Sequence, residues 1–177
     1  PVSLGPTEAA STYSNGGLPA DIINKKTRAM TVAGTSFRSL DTEFWNADKV
    51  EMLEEAAYET GFTDVGASDS ICDAFLFGGA ACYPVFDNDS PSSLLRDLNK
   101  MQLKKGCITR WVEADRWNIV NVPSFIVTAK DYLHPDSMII PMSNTEVSTT
   151  RMCLVRPKAL PYWSALYNLG WCPSDLN

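Results

Sequence analysis

Few residues in this sequence have side chains able to do chemistry at neutral pH. His134 is the single histidine among 177 residues, so any mechanism that moves a proton through an imidazole must use it. It sits in Leu133-His134-Pro135-Asp136, where proline and aspartate are turn formers. There are five cysteines, Cys72, Cys82, Cys107, Cys153 and Cys172. The count is odd and no Cys-x-x-Cys pair exists, which argues against a disulfide framework, a zinc ribbon or a thioredoxin-like centre. Most lie among apolar neighbours, as in Ala81-Cys82-Tyr83 and Met152-Cys153-Leu154. That is the setting of buried, unpaired thiols, with one disulfide or a reactive thiol as the alternatives. A nucleophilic cysteine needs an imidazole or another cation beside it. Any of the five can meet His134 in space, and no local signature selects one.

Other motifs fail on spacing. Gly34-Thr35-Ser36-Phe37-Arg38 and Gly66-Ala67-Ser68-Asp69 both lack the second glycine of a serine-hydrolase elbow. Gly78-Gly79 is followed by no Gly-Lys-Ser/Thr and belongs to no Gly-x-Gly-x-x-Gly, so it is no phosphate loop. Its expected use is to let the backbone approach another surface closely. Asp87-Asn88-Asp89 begins like a calcium loop, but Pro91 and Leu98 stand where oxygen ligands are needed. None of the 21 acids pair off for glycoside chemistry. The tripeptide His134-Pro135-Asp136 resembles the signature of J-domain co-chaperones, where it follows a basic helix. Here the preceding Ser124–Lys130 is β-branched rather than basic, and the resemblance ends at those residues. The sequence therefore predicts no catalytic residue, no cofactor and no metal site.

Composition narrows the class. A net charge of −6 and a pI near 4.7 disfavour nucleic acid, because an acidic surface repels phosphate. Hydrophobic content of 45% with 20% charged residues suits a soluble globular protein, and 177 residues fit one domain. No apolar run reaches the roughly 18 residues of a membrane span. The best, Ile71–Phe86, is broken by Asp73, Gly78, Gly79 and Pro84 and reads as buried core. Peripheral membrane association through a complex stays open. No signal peptide is visible, although a leader removed before Pro1 would erase that evidence. An intracellular or organellar location is favoured over secretion.

These residues need elements to hold them. Residues 1–38 are rich in turn formers and lack apolar periodicity, so an extended, irregular N-terminal arm is expected there. Left alone such an arm would stay mobile, and it is expected to lie against the globule or a partner. Residues 39–177 are expected to form a single α+β domain. Its antiparallel sheet lies in the C-terminal half, with two or three helices on one face. A helix is predicted over 41–60, capped by Asp41 or Thr42, striped by Phe44, Ala47, Val50, Leu53 and Ala57, and stopped by Gly61. Residues 62–86 read as one or two buried strands or a short helix joined by tight turns. A second helix is predicted from Ser90-Pro91 to Lys104-Lys105, burying Leu94, Leu95, Leu98 and Met101. Strands are predicted over 108–113, 117–122, 124–129, 137–142 and 149–155. A short helix over 161–169 and a tail, Trp171-Cys172-Pro173, packed back on the body complete the reading.

The function these features suggest is a non-catalytic structural or assembly subunit, linker or accessory, of a larger multi-protein complex. It would dock on other protein subunits through its N-terminal arm and aromatic surface. The interface candidates are Pro6, Tyr13, Leu18, Ile22, Trp111 and Trp117. The alternatives are an apolar small-molecule or pigment-binding module built around Trp111, Trp117 and Phe125, or a virion shell protein. A further alternative is an enzyme using His134 with a nearby cysteine or acid.

Overall fold

The structure is a computed structural model that describes residues 4–32, 47–102, 104, 106–120, 135–158, 171, 172 and 174–176. Strand β1, Ala80–Phe86, organises it. Because successive side chains in a strand point to opposite faces, Ala81, Tyr83 and Val85 share one face and Ala80, Cys82 and Pro84 the other. β1 pairs antiparallel with β2, Ile108–Asp115, from Ala80↔Asp115 to Phe86↔Ile108, with a slip between Val85 and Phe86. On its other edge it pairs antiparallel with a short strand, Cys153–Val155, called β5 below, in the register Ala80↔Val155 to Cys82↔Cys153. That partner stops at Cys82, so among the described residues nothing pairs with Pro84 on that edge of β1, a place that tolerates its missing N–H.

A separate antiparallel hairpin joins β3, Ser137–Ile140, to β4, Thr145–Ser148. Asn144 enters it at φ +46°, a left-handed conformation that asparagine tolerates. The hairpin is tied to the segment after β2 by the bridge Val120↔Ile139. It meets the Ala81 face of the three-stranded sheet. Ala81, Tyr83, Ala114, Ile119, Met138, Val147 and Trp171 form the buried cluster between them. Helices cover the opposite face. In chain order they are α1, Pro6–Ser14; α2, Leu18–Thr31; α3, Ala47–Glu59; a π-helical segment, Phe62–Asp69; and α4, Ser70–Phe77. The architecture is thus α+β with antiparallel sheets, as the sequence predicts. Its central strand comes from residues 80–86, just before the midpoint of the chain.

Gly78 ends α4 at φ +88°, its N–H donating to the Ala74 carbonyl at 2.9 Å. A Cβ on Gly79 would stand 2.2 Å from Trp171 Cε3, so only glycine lets the tail close here. The Cys172 N–H then donates to the Gly78 carbonyl at 2.9 Å, and Trp171 and Cys172 are buried. The close approach expected of Gly78-Gly79 and the returning tail are both present.

Several expectations are corrected. The arm expected to be irregular is helical over Pro6–Ser14 and Leu18–Thr31. Pro6 and Pro19 sit in first turns, where proline is pre-set for helix, and the Glu8 carboxylate accepts from the Gly5 N–H at 3.0 Å. The turn formers 15–17 only link the two helices. The second predicted helix does not form either. Residues 90–101 make two 3₁₀ turns, Ser93–Leu95 and Leu98–Lys100, separated by extended Arg96 and Asp97. Local side chains compete with helix there, Ser93 Oγ accepting from the Ser90 N–H at 2.7 Å. A distant hydroxyl, Thr150 Oγ1, takes the Leu98 N–H at 2.9 Å. The strand predicted at 117–122 begins as a 3₁₀ turn because the Asp115 carboxylate accepts from the Trp117 and Asn118 N–H groups. The strand predicted at 149–155 survives only as β5, and β4 was not anticipated. α3 is observed from Ala47 and Gly61 follows it at φ +75°. The caps Asp41 and Thr42, the strand over 124–129, the helix over 161–169, Phe125 and His134 lie outside the described residues.

Candidate functional site

The interface candidates fall into two groups. Leu18 and Ile22 are exposed on α2, Leu18 at 73%. At about 100° per residue, they share one stripe with Lys25, Ala29 and Val32. All of these are exposed, Val32 at 70%. The buried residues of the same helix, Ala20, Ile23 and Thr27, lie on the opposite side and pack toward α1 and α4. So α2 is apolar on two opposed faces and only one of them is covered. Pro6 is exposed at the start of α1.

The other candidates turn inward or stand apart. The half-buried Tyr13 hydroxyl donates to Asn24 Oδ1 at 2.6 Å and accepts from the Cys72 thiol at 3.9 Å, joining α1 to α2 and α4. Burial, then the Cys72 contact, raises its pKa. Trp111 leans on Phe62 with ring centroids 4.7 Å apart, and its indole N–H donates to Thr60 Oγ1 at 3.3 Å. It lines an apolar cleft of about 360 Å³ between α3 and β2, with Leu53, Ala57, Phe62 and Ile108. Trp117 is exposed beneath the Arg116 guanidinium at 4.5 Å from its ring. The structure therefore brings together Leu18 and Ile22, and neither of them with the tryptophans.

A second arrangement lies on the helix-covered face of the sheet. Across the three strands, Cys153, Cys82 and Glu113 stand in one row, Cys82 being the register partner of both others. Cys82 is fully buried and Cys153 exposed. The Cys82 thiol donates to the Gly66 carbonyl at 3.1 Å. That carbonyl belongs to the π-helical turn, whose i→i+5 pattern shows in the Gly66 N–H reaching the Gly61 carbonyl at 3.4 Å. Cys82 and Cys153, opposed in register, also perturb each other's ionisation. That pairing first, and burial second, drives the Cys82 thiol far up. The same pairing lowers Cys153 to about 6.

Beside them, Glu113 of β2 and Asp73 of α4 are close enough to perturb each other's ionisation, and Glu113 Oε1 is buried with no hydrogen-bond partner among the described residues. Burial, then Asp73, then Asp115 and Asp69 push Glu113 up to about 8. Asp73 is raised as well, chiefly by burial. Two neighbouring acids disfavour each other's ionised form, so the pair shares a proton to a pH above the ordinary carboxylate range. Among the described residues, no group of three or more His, Cys, Asp or Glu side chains is arranged to hold a metal ion.

A third polar site is closed. Arg151 and Asp89 are buried, with side chains 0% and 4% exposed, and pair through two contacts, Nη1–Oδ2 at 2.8 Å and Nη2–Oδ1 at 3.2 Å. Asp89 also accepts from the Phe86 N–H at 2.9 Å and the Ser93 hydroxyl at 2.8 Å. Burial alone would raise its pKa, but Arg151 and these donors outweigh it and hold it below the ordinary value. The guanidinium lies 4.9 Å from the Phe86 ring centroid.

Glu113, Asp73 and the Cys82–Cys153 pairing carry no sequence signal, since their spacing matches no motif and strand register alone brings them together. The α2 stripe had one: Leu18, Ile22, Ala29 and Val32 recur at helical spacing once the turn formers are set aside. No protein-family model matches this chain, and no curated protein matches it.

Proposed function

We propose that the protein is a non-catalytic structural or assembly subunit of a larger multi-protein complex, and that it docks on other protein subunits through the outward face of α2. The observation that carries this reading is the two-sided helix. A helix apolar on opposite faces is ordinarily covered on both, and here Leu18, Ile22, Ala29 and Val32 face water. The docking element is thus a packed helix rather than a free arm. No helix among the described residues is long and apolar enough to cross a membrane.

The test is a double variant, Leu18→Asp with Val32→Asp, both on the exposed face. Native mass spectrometry of wild type isolated gently from its source should give defined assemblies well above 19.5 kDa. The variant should be monomeric with an unchanged circular dichroism spectrum. A monomeric wild type, or a variant that still assembles, overturns the reading.

A second reading rests on the Trp111 cleft, whose volume and apolar lining suit a small apolar ligand. It predicts saturable quenching of Trp111 fluorescence by an apolar dye, absent in Trp111→Phe. Quenching that persists unchanged in that variant removes it.

A further inference from the structure

Cys82 and Cys153 are far apart in sequence, yet they oppose each other directly across β1 and β5. Residues opposed in an antiparallel pair have Cα atoms roughly 4.5–5.5 Å apart and side chains on the same face. That spacing lies inside the roughly 4.4–6.8 Å that a disulfide accepts. We propose that Cys82 and Cys153 are a modification site for hydroperoxides, at which the exposed Cys153 is oxidised first and the buried Cys82 resolves it into a cross-strand disulfide.

The division of roles follows from exposure. Cys153 is the sulfur that solvent reaches, and Cys82 is sealed beneath the π-helical segment. The lowered pKa of Cys153 gives it thiolate character at neutral pH, the form that attacks peroxide. The Cys153 thiolate attacks the outer oxygen of the hydroperoxide. The S–O bond forms, the O–O bond breaks, and the alkoxide leaves and takes the proton that Cys153 gave up. The product is a sulfenic acid. The Cys82 sulfur then attacks the Cys153 sulfur. The S–S bond forms, the S–O bond breaks, and hydroxide leaves with the Cys82 proton as water. The two sulfurs together lose two electrons, and the hydroperoxide, reduced to an alcohol or water, gains them.

The bond would fasten β5, which among the described residues pairs with the sheet over Cys153–Val155, two residues after Arg151 of the buried ion pair. The other three cysteines offer no such pairing: Cys72 contacts the Tyr13 hydroxyl, Cys172 donates to the Lys158 carbonyl at 2.9 Å, and Cys107 sits near the start of β2.

The test treats the reduced full chain with a small excess of hydrogen peroxide and maps peptides without reductant. The expected result is an intact mass lower by two hydrogens and a cross-linked peptide pair containing Cys82 and Cys153. Cys82→Ser should stop at the sulfenic acid, trapped on Cys153 by dimedone, and Cys153→Ser should give neither disulfide nor adduct at Cys82. If Cys82→Ser fails to fold, the order is read from wild type by iodoacetamide, which should alkylate Cys153 well before Cys82. A cross-link between any other pair, no cross-link at all, or Cys82 alkylated as fast as Cys153 overturns the proposal.

Discussion

The outer face of α2 and the helix-covered face of the sheet depart from the usual distribution of residues in opposite directions. On α2, Leu18 and Val32 are apolar side chains in water. On the sheet, Glu113 is an acid turned toward the interior, against Asp73 of α4. Each arrangement is relieved by something different. Exposed apolar surface is relieved only by another surface, whereas a buried pair of acids is relieved by a proton. The Asp89–Arg151 pair shows the third possibility. There both Asp89 oxygens have partners, while the buried Arg151 Nε has none among the described residues. The lesson is that burial and exposure do not by themselves mark a functional place. An unmet need does.

The largest expected effect comes from breaking the buried ion pair. Arg151→Ala leaves Asp89 buried and uncompensated, and should lose about 3–5 kcal/mol of stability in urea unfolding at neutral pH. Asp89 has a lowered folded pKa, so its contribution is present above the ordinary value of 3.8 and is lost as pH falls through the lowered one. Wild type should therefore lose stability below that value, and Arg151→Ala should lose less of it.

Glu113→Gln tests the acids from the other side. The folded pKa of about 8 stands above the ordinary 4.5. Below 4.5 both states hold the proton and stability is complete. Between the two values only the unfolded chain releases it, so stability falls as pH rises. The variant cannot titrate there, and its advantage over wild type should grow across this window to about 2 kcal/mol at pH 8, a figure reduced for solvent screening of a half-buried group. Parallel unfolding series at pH 5 and pH 8 measure it. An advantage that shrinks toward pH 8 would contradict the shared proton. On α2, Leu18→Asp with Val32→Asp should change the stability of the isolated chain by no more than about 0.5 kcal/mol while abolishing assembly. The smallest effect is expected at Lys26, whose exposed ammonium pairs with Asp175 at 2.6 Å. Lys26→Ala should cost under about 1 kcal/mol, and 1 M salt should erase the difference.

How much of this was legible follows a physical rule. Local signals were read where local forces decide. Gly61 stops α3, Gly78-Gly79 admits the returning tail, and β2 keeps its pattern of aromatic and β-branched residues. The segment predicted as a helix over 90–105 had every local mark of one, yet its residues 90–101 are not α-helical, because Ser93, Asp89, Arg151 and Thr150 hold them through contacts the local pattern does not contain. The N-terminal helices were hidden for the converse reason. Turn formers at 14–17 masked two apolar stripes whose packing against α4 supplies the stability that propensity lacks. The row Cys153–Cys82–Glu113 depends on strand register, and no spacing in the sequence encodes it.

The most direct test of the account is hydrogen exchange on the protein within its assembly and after release as a monomer. The account predicts that amides of residues 18–32 exchange more slowly in the assembly, while those lining the Trp111 cleft and the row of Cys82 and Glu113 are unchanged. Slowing confined to residues 104–111, or none over 18–32, would contradict it.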